Sequence, residues 1–398
     1  GHNWAAQRLI QFRGINPVCS EGETLRKSIA INMPQIGDLE IEMVNQVLRS
    51  GVLTGHPGRG PMVRRFEDAF AEFVDVKHAV AVNSGTAALH MALLAADVAS
   101  DDQVIVPSFT FVATAEAVAL VGANPVFVDI EPHTYNDNPE KIEEAITEKT
   151  KASIPVDLYG LSADMEAISE IAQKHGLTVI EDAAQAHGAL YRGKPPGSFA
   201  DIACWSFYAS KNMTTGEGGM VTTNSDELAE KLRSIRVHGE KEPYRSSMLG
   251  HNYRMPEIEA ALGCVQLQRL PSFIEKRRRN AGLLTEKLAG LENLQLPVEP
   301  SGLRHSWYLY TVRVPGSKAT LRDRVVGELE KRGVGAAVYY RIPVHLMPYY
   351  RRFGRFHLPE TEKAADQVFS LPVHPGVTPE DIDHIGKSVA QALNLLKK

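Results

Sequence analysis

Lys211 stands between two apolar runs, in "SFYASKNMTTGEGGM". In a stretch so rich in small residues and glycines, a lysine can be an ordinary solvated turn residue. It can equally be an amine held by a tight loop for attack on a carbonyl, the chemistry of a Schiff-base lysine. Other candidates fall at the ends of apolar runs. Ser84, Gly85 and Thr86 follow "AVAVN" and open a helical pattern, offering free backbone N–H groups and a hydroxyl to a phosphate, or simply a helix cap. Asp182 ends "TVIED", where a carboxylate needs a partner: a cap, a salt bridge or the cation of a cofactor. Gln185 adds an amide beside small alanines, and His187 is either a substrate contact or a satisfied histidine. Phe109 and Phe111 are both core candidates, Phe109 especially, and either offers a flat face to an aromatic ligand. Ser206 ends "DIACWS", well placed for a phosphate. A phosphate cradle, an acid for a ring nitrogen, an aromatic face and an amine are together the parts of a pyridoxal phosphate site.

These residues need a scaffold that gathers strand ends. From residue 79 to 224 the chain alternates short Val/Ile-rich runs with helical patterns: "HAVAVN", "QVIVPS", "PVFVDI", "ASIPVDLYG", "LTVIEDAAQ", "DIACWSFY" and "GGMVTTN". Runs of nearly continuous apolarity are strands covered on both faces. The fold class is therefore α/β, with a large domain built on a seven-stranded, mainly parallel sheet covered by helices. "GGMVTTN" follows its predecessor without a crossover helix, so one antiparallel strand is expected. In such sheets ligands bind beyond the carboxyl ends of the parallel strands, where the candidates lie. "DLEIEMVNQVLRSG" reads as a separate helix before the sheet. The stretch from "MPEIEAALG" to "KLAG" is a long amphipathic helix that Pro271 either kinks or splits. After it, "SWYLYTVRV" reads as a strand, "LRDRVVGELEKRG" as a helix, "GAAVYY" as a short strand and the C-terminal stretch as a helix. These form a smaller C-terminal α/β domain. The expected division is an N-terminal extension to residue 33, a large cofactor-binding domain over 34–270 and a small domain over 271–398.

With 398 residues, two domains are natural. A net charge of −5 favours neither nucleic acid nor an anionic membrane as the main partner. No apolar run approaches the roughly 20 residues of a bilayer span, and the N-terminal stretch lacks the apolar core of a signal peptide. The three cysteines, Cys19, Cys204 and Cys264, have no zinc or disulfide spacing. Buried thiols in a reducing compartment, and so a cytoplasmic home, are expected. Neither a dinucleotide fingerprint after the first sheet strand nor a Walker motif is present.

The combination resembles the DegT/DnrJ/EryC1/StrS family of sugar aminotransferases, of the aspartate aminotransferase fold (fold type I). The resemblance runs over roughly residues 34 to 395 and rests on many in-order segments. Among them are "SGVLTGHPG", "VNSGTAALHMALLA", "VIVPSFTFVATAEAV", "VIEDAAQAHGA", "SFYASKNMTTGEGGMVTTN", "GHNYRMPEIEAALG" and "YYRIPVHLMPYY". It implies that Lys211 anchors pyridoxal 5'-phosphate and moves the proton, and that Asp182 pairs with the pyridine nitrogen. Phe111, not Phe109, is then the stacking ring. Gln185 lies near the ring hydroxyl, and Gly85, Thr86 and Ser206 contact the phosphate. Asn252 reaches the phosphate of a neighbouring subunit, making a homodimer with shared sites. Tyr339 and His345 lie near the nucleotide-sugar pocket. Pyridoxamine 5'-phosphate is the alternate cofactor form, glutamate the amino donor and a nucleotide-linked keto sugar the acceptor. Retention of Lys211 favours transamination over dehydration, and "NYRM" resembles enzymes that aminate C4. Family members often carry histidine where this chain has Asp157. Two other readings are amination of another cyclic ketone such as an inosose, and a non-catalytic regulatory protein on the same fold.

Overall fold

The computed structural model describes residues 28–395; Cys19 and most of the expected N-terminal extension lie outside that range. Two helices come first: α1 (Asp38–Ser50), stopped by Gly51 in the left-handed region, and α2 (Pro61–Phe73), with proline in its first turn. The chain then winds β1 (His78–Val82), α3 (Gly85–Ala95), β2 (Gln103–Pro107), α4 (Ala113–Leu120), β3 (Asn124–Val128), α5 (Pro139–Glu144), β4 (Thr150–Ser153), α6 (Met165–His175) and β5 (Thr178–Asp182). After the two-residue β6 (Leu190–Tyr191) come β7 (Ile202–Ser206), β8 (Gly219–Thr223) and α7 (Asp226–Arg236). A small hairpin, β9 (Glu240–Glu242) with β10 (Arg245–Ser246), precedes the 32-residue α8 (Glu257–Leu288). The rest comprises β11 (Leu303–Arg304), β12 (Tyr310–Arg313), α9 (Ala319–Lys331), α10 (Pro359–Gln367), β13 (Val368–Leu371) and α11 (Pro379–Leu395).

The seven expected strands form one sheet in the order β1-β8-β7-β5-β4-β2-β3. All neighbours are parallel except β8, which runs antiparallel to both β1 and β7. The strands are apolar on both faces because both are covered. On one face α3, almost entirely buried, packs with α4 and α7 against Val80, Val106, Ile180, Cys204 and Val221. On the other, α2 and the first half of α8 enclose Phe66, Phe70, Trp205, Phe207 and Leu270. Each fully buried Leu, Val or Phe contributes about 1.5–3 kcal/mol, so both layers are needed to hold the sheet.

The second domain has its own core, where β12 and β13 pair antiparallel and pack with α9, α11 and the second half of α8. Pro271 sits inside α8 without splitting it, so one continuous helix serves both cores. Two expectations need correction. "GAAVYY" is not a strand; its pairing is the single bridge Ala337–Ser370, while Gly335 is held on another side by the Ile29 carbonyl. In "SWYLYTVRV" only Tyr310–Arg313 is strand. Trp307 turns at positive φ because Ser306 and Leu309 donate to the Gly160 and Tyr159 carbonyls instead.

Candidate active site

The ends of β1, β5 and β7 bring the first candidates together. Ser84 caps α3, its Oγ accepting from the Ala87 N–H at 3.1 Å. The N–H groups of the first turn, Gly85 and Thr86 among them, have no intrahelical acceptors and carry the positive end of the helix dipole. Gly85 lies against Ser206: a Cβ at position 85 would sit 2.8 Å from the Ser206 Cβ. The close approach places a hydroxyl beside the helix N-terminus, a concave donor set that suits a phosphate. Gly219 backs the same cradle, since a Cβ there would lie 2.4 Å from the Ser84 carbonyl oxygen. Sequence reading left the glycines after Lys211 out of the site. Gly219 stays out of direct contact, but the cradle cannot close without it.

Asp182 is buried at the end of β5. Thr114 Oγ1 donates to its Oδ2 at 2.9 Å and the Ala184 N–H to its Oδ1 at 3.2 Å. Burial pushes its carboxyl above the usual range, opposed by these donors and by the Lys211 charge. Such a carboxylate is poised for a cationic partner. Its pairing with Cys204 in the β5–β7 register sets it two residues from Ser206 on the neighbouring strand, and the Lys211 charge acts on it.

Lys211 is partly buried in a loop tied at several points. Its N–H donates to the Tyr208 carbonyl, the Thr215 N–H to Phe207, and the Asn212 amide to the His187 and Ser306 carbonyls. The Asn32 amide reaches the Ser210 carbonyl. The Lys211 Nζ lies 4.8 Å from the centroid of Tyr308, whose hydroxyl is 2.9 Å from Ser210 Oγ. The fully buried Arg277 holds Tyr308 through its carbonyl. These partners escaped sequence reading because they come from positions far away in the chain.

The two phenylalanines separate cleanly. Phe109 is 1% exposed and packs among Tyr135, Tyr159 and Tyr340. Phe111 is 54% exposed, its ring 6.2 Å from that of Tyr340. β2 ends at Pro107, so strand alternation had nothing to say about either. Gln185 is buried and fixed: its Oε1 accepts from the Tyr159 N–H at 2.8 Å and its Nε2 donates to the Tyr340 hydroxyl at 3.1 Å.

A family-specific model, that of the DegT/DnrJ/EryC1/StrS aminotransferases, matches residues 34–390. The chain belongs to this family. A pleiotropic regulatory protein of Geobacillus stearothermophilus is 44% identical over 83% of this chain and 89% of its own. UDP-N-acetyl-3-dehydro-alpha-D-glucosamine 3-aminotransferase of Acidithiobacillus ferrooxidans is also 44% identical, covering 84% of this chain and 89% of its own. The putative sugar aminotransferase Spr1654 of Streptococcus pneumoniae, solved in its PLP form, superposes with a TM-score of 0.88 at 30% identity. That match covers 93% of this chain and 99% of the other.

The remaining candidates of this aminotransferase lie further out. Asn252 is exposed, and its backbone pairs with Val237; the adjacent Tyr253 carbonyl accepts from the Asn83 N–H at the end of β1. Tyr339 is half-buried, and its carbonyl accepts from the Tyr159 hydroxyl. The His345 ring is buried, 2.6 Å from Ser108 Oγ through Nδ1, with Glu362 at 3.5 Å from Nε2. It braces the end of β2 and is not presented on an open surface. His187 is buried between Trp205 and Phe207 with neither ring nitrogen hydrogen-bonded, and burial pushes it down to about 3. It is a neutral core residue.

Proposed function

We propose that this aminotransferase uses pyridoxal 5'-phosphate to move an amino group from glutamate to the keto carbon of a nucleotide-linked deoxysugar. The observation that carries the reading is one convergence. The Gly85–Ser206 contact builds a phosphate cradle on the same sheet edge as a buried Asp182 and a loop-held Lys211. Pyridoxal phosphate, when bound, supplies an aldehyde for the amine and an electron sink for the α-carbon.

This chain's residues do the rest. Lys211 would hold the group through its Nζ, and as a free amine would be the base that moves the donor's α-proton. Asp182 keeps the ring nitrogen protonated; the Thr114 and Ala184 donors aim its two oxygens. Gly85, Thr86 and Ser206 hold the phosphate, so orientation survives when the lysine bond opens. Phe111 would offer its exposed ring to one face of the group, and Gln185 would lie near its ring hydroxyl. Tyr339 lies on the sugar side, and His345 supports that side from within. Asn252 completes a partner's phosphate site in a homodimer. "NYRM" supports C4 as the carbon aminated; the relative named for a 3-amino product makes C3 the competing outcome.

The test is glutamate added to holoenzyme without any sugar. Stoichiometric 2-oxoglutarate is expected from the wild type and none from Lys211→Ala. No 2-oxo acid from any amino donor would favour the regulatory role, the one printed in the name of the Geobacillus relative. Normal turnover by Lys211→Ala would overturn the lysine assignment. With UDP-, dTDP- and GDP-linked keto sugars, NMR of the product locates the new amine, and acceptance of 3-keto sugars alone rejects C4.

A further inference from the structure

A pair of carboxyl groups lies behind Asp182 that the reaction does not use. Asp157 follows β4 and Glu181 is the residue before Asp182; their exposures are 0% and 1%. Among the described residues no lysine, arginine or histidine forms an ion pair with either. One oxygen of each accepts a backbone N–H: Asp157 Oδ1 from Ala163 at 2.9 Å, and Glu181 Oε2 from Gly197. The other oxygens, Asp157 Oδ2 and Glu181 Oε1, have no N–H or hydroxyl donor. Val156 bridges to Asp182 in parallel register, so Asp157 and Glu181 lie on adjoining backbone segments, and each carboxyl acts on the other.

Two bare carboxylates side by side in a dry core repel one another and leave two acceptors unsatisfied, a cost of several kcal/mol. One proton between them removes both faults: the protonated group donates, the other accepts, and a single negative charge is left. The location makes this consequential. The Asp157 N–H donates to the Asp182 carbonyl at 3.1 Å, and the Asp182 N–H to the Pro155 carbonyl at 2.8 Å. The pair is therefore built onto the backbone ladder that sets Asp182.

We infer that Asp157 and Glu181 share one proton, and that the protonated pair acts as a positioning element for Asp182. Burial holds both carboxyls above the usual range, with Glu181 pushed up to about 7. The titratable groups that face the pair are Asp182 and Cys204. Asp137 in turn faces Asp182 from the Asn136–Asp137 segment, and Lys211 is the cation acting on Asp182.

The proton itself is tested in cofactor-free protein. Between pH 5 and 7 the unfolded chain has released this proton and the native state keeps it, so native stability falls as pH rises. Asp157→Asn supplies an amide donor in place of the shared proton. The ratio of variant to wild-type unfolding constants should then change about tenfold per pH unit in the variant's favour as pH rises. A ratio independent of pH overturns the proposal. If Asp157→Asn does not fold, Glu181→Gln is the mirror experiment with the same expectation. If neither folds, the wild-type infrared spectrum decides, and absence of a protonated-carboxyl band near pH 6 refutes the pair.

The role beneath Asp182 rests on the transaminase reading and has its own readout. In holoenzyme, Asp157→Asn should lower kcat about tenfold with little change in KM for glutamate, and should move the alkaline limb of the pH profile. An unmoved pH profile would leave the pair a purely structural one and refute positioning. Failure of the wild type to transaminate would refute the transaminase reading alone, since the stability ratio needs no cofactor.

Discussion

At the scale of single residues, the site depends on a few contacts with little tolerance. Gly85→Ala would press a Cβ to 2.8 Å from Ser206, so the cradle must open. Overpacking of this kind costs about 1–3 kcal/mol, and cofactor affinity measured by absorbance titration should fall by about 5- to 100-fold. Asp182→Asn keeps the shape but loses the charge and one of the two acceptors, since an amide nitrogen cannot accept from Thr114 or Ala184; kcat should drop by about 100-fold or more, on the scale of proton-transfer catalysis. Full activity in that variant would reject the electron-sink role. His187 gives a prediction of opposite sign to the acid pair. Its native pKa lies below its unfolded one, so the unfolded chain binds the extra proton and stability is lost as pH falls below about 6.5. His187→Phe, placed between Trp205 and Phe207, should therefore gain stability relative to wild type between pH 6.5 and 5, as read by urea unfolding. Some of these roles were legible in the sequence. Lys211 and Asp182 stood out as an amine and an acid at the ends of apolar runs. Thr114, Tyr308 and Arg277 did not, because a threonine in a helical pattern and an aromatic beside a strand carry no local signal of what they touch.

At the scale of elements, the strand-to-helix junction from β1 to α3 is the unit that would make the proposed phosphate site. An apolar strand delivers Ser84 as a cap, and the first turn of α3 leaves its N–H groups open toward Ser206. Inorganic phosphate should therefore raise the melting temperature of cofactor-free protein by a few degrees at several times its Kd. Thr86→Val should shrink that shift, whereas sulfate and phosphate giving none would remove the cradle. Strand existence and order of type were readable because parallel strands buried on both faces must be apolar throughout. The limits of shorter elements were not. "GAAVYY" has strand composition, but its backbone is claimed by Ile29 on one side and by a single bridge to Ser370 on the other. The long α8 survives Pro271 because both of its halves are packed, each in a different core.

At the scale of the whole molecule, α1 and the loop after it present Leu39, Ile41, Leu48 and Leu53, all about half exposed or more. Tyr244 and Leu249, around the β9–β10 hairpin, are 91% and 80% exposed. Apolar surface of this extent suits burial against a second copy, as the shared-site proposal requires. That proposal predicts complementation. Mixed dimers of Lys211→Ala and Asn252→Ala subunits contain one site with both Lys211 and Asn252 intact, so mixing the two weak or inactive proteins should restore activity. No gain on mixing, or a monomer in sedimentation, would reject the shared site. No helix among the described residues is long and apolar enough to cross a membrane.

The amino-acid sequence by itself determined the α/β class, the seven strands with one reversed and the family, and it supplied the residues proposed to carry the chemistry. Each of these follows from local periodicity or from motifs that are contiguous in the chain. Only the tertiary structure decided what aims Asp182, what underlies Lys211 and which glycine packs behind the Ser84–Gly85 turn. Those answers depend on contacts between residues distant in sequence, where burial and close approach are properties of the packed whole and leave no mark on the neighbouring residues.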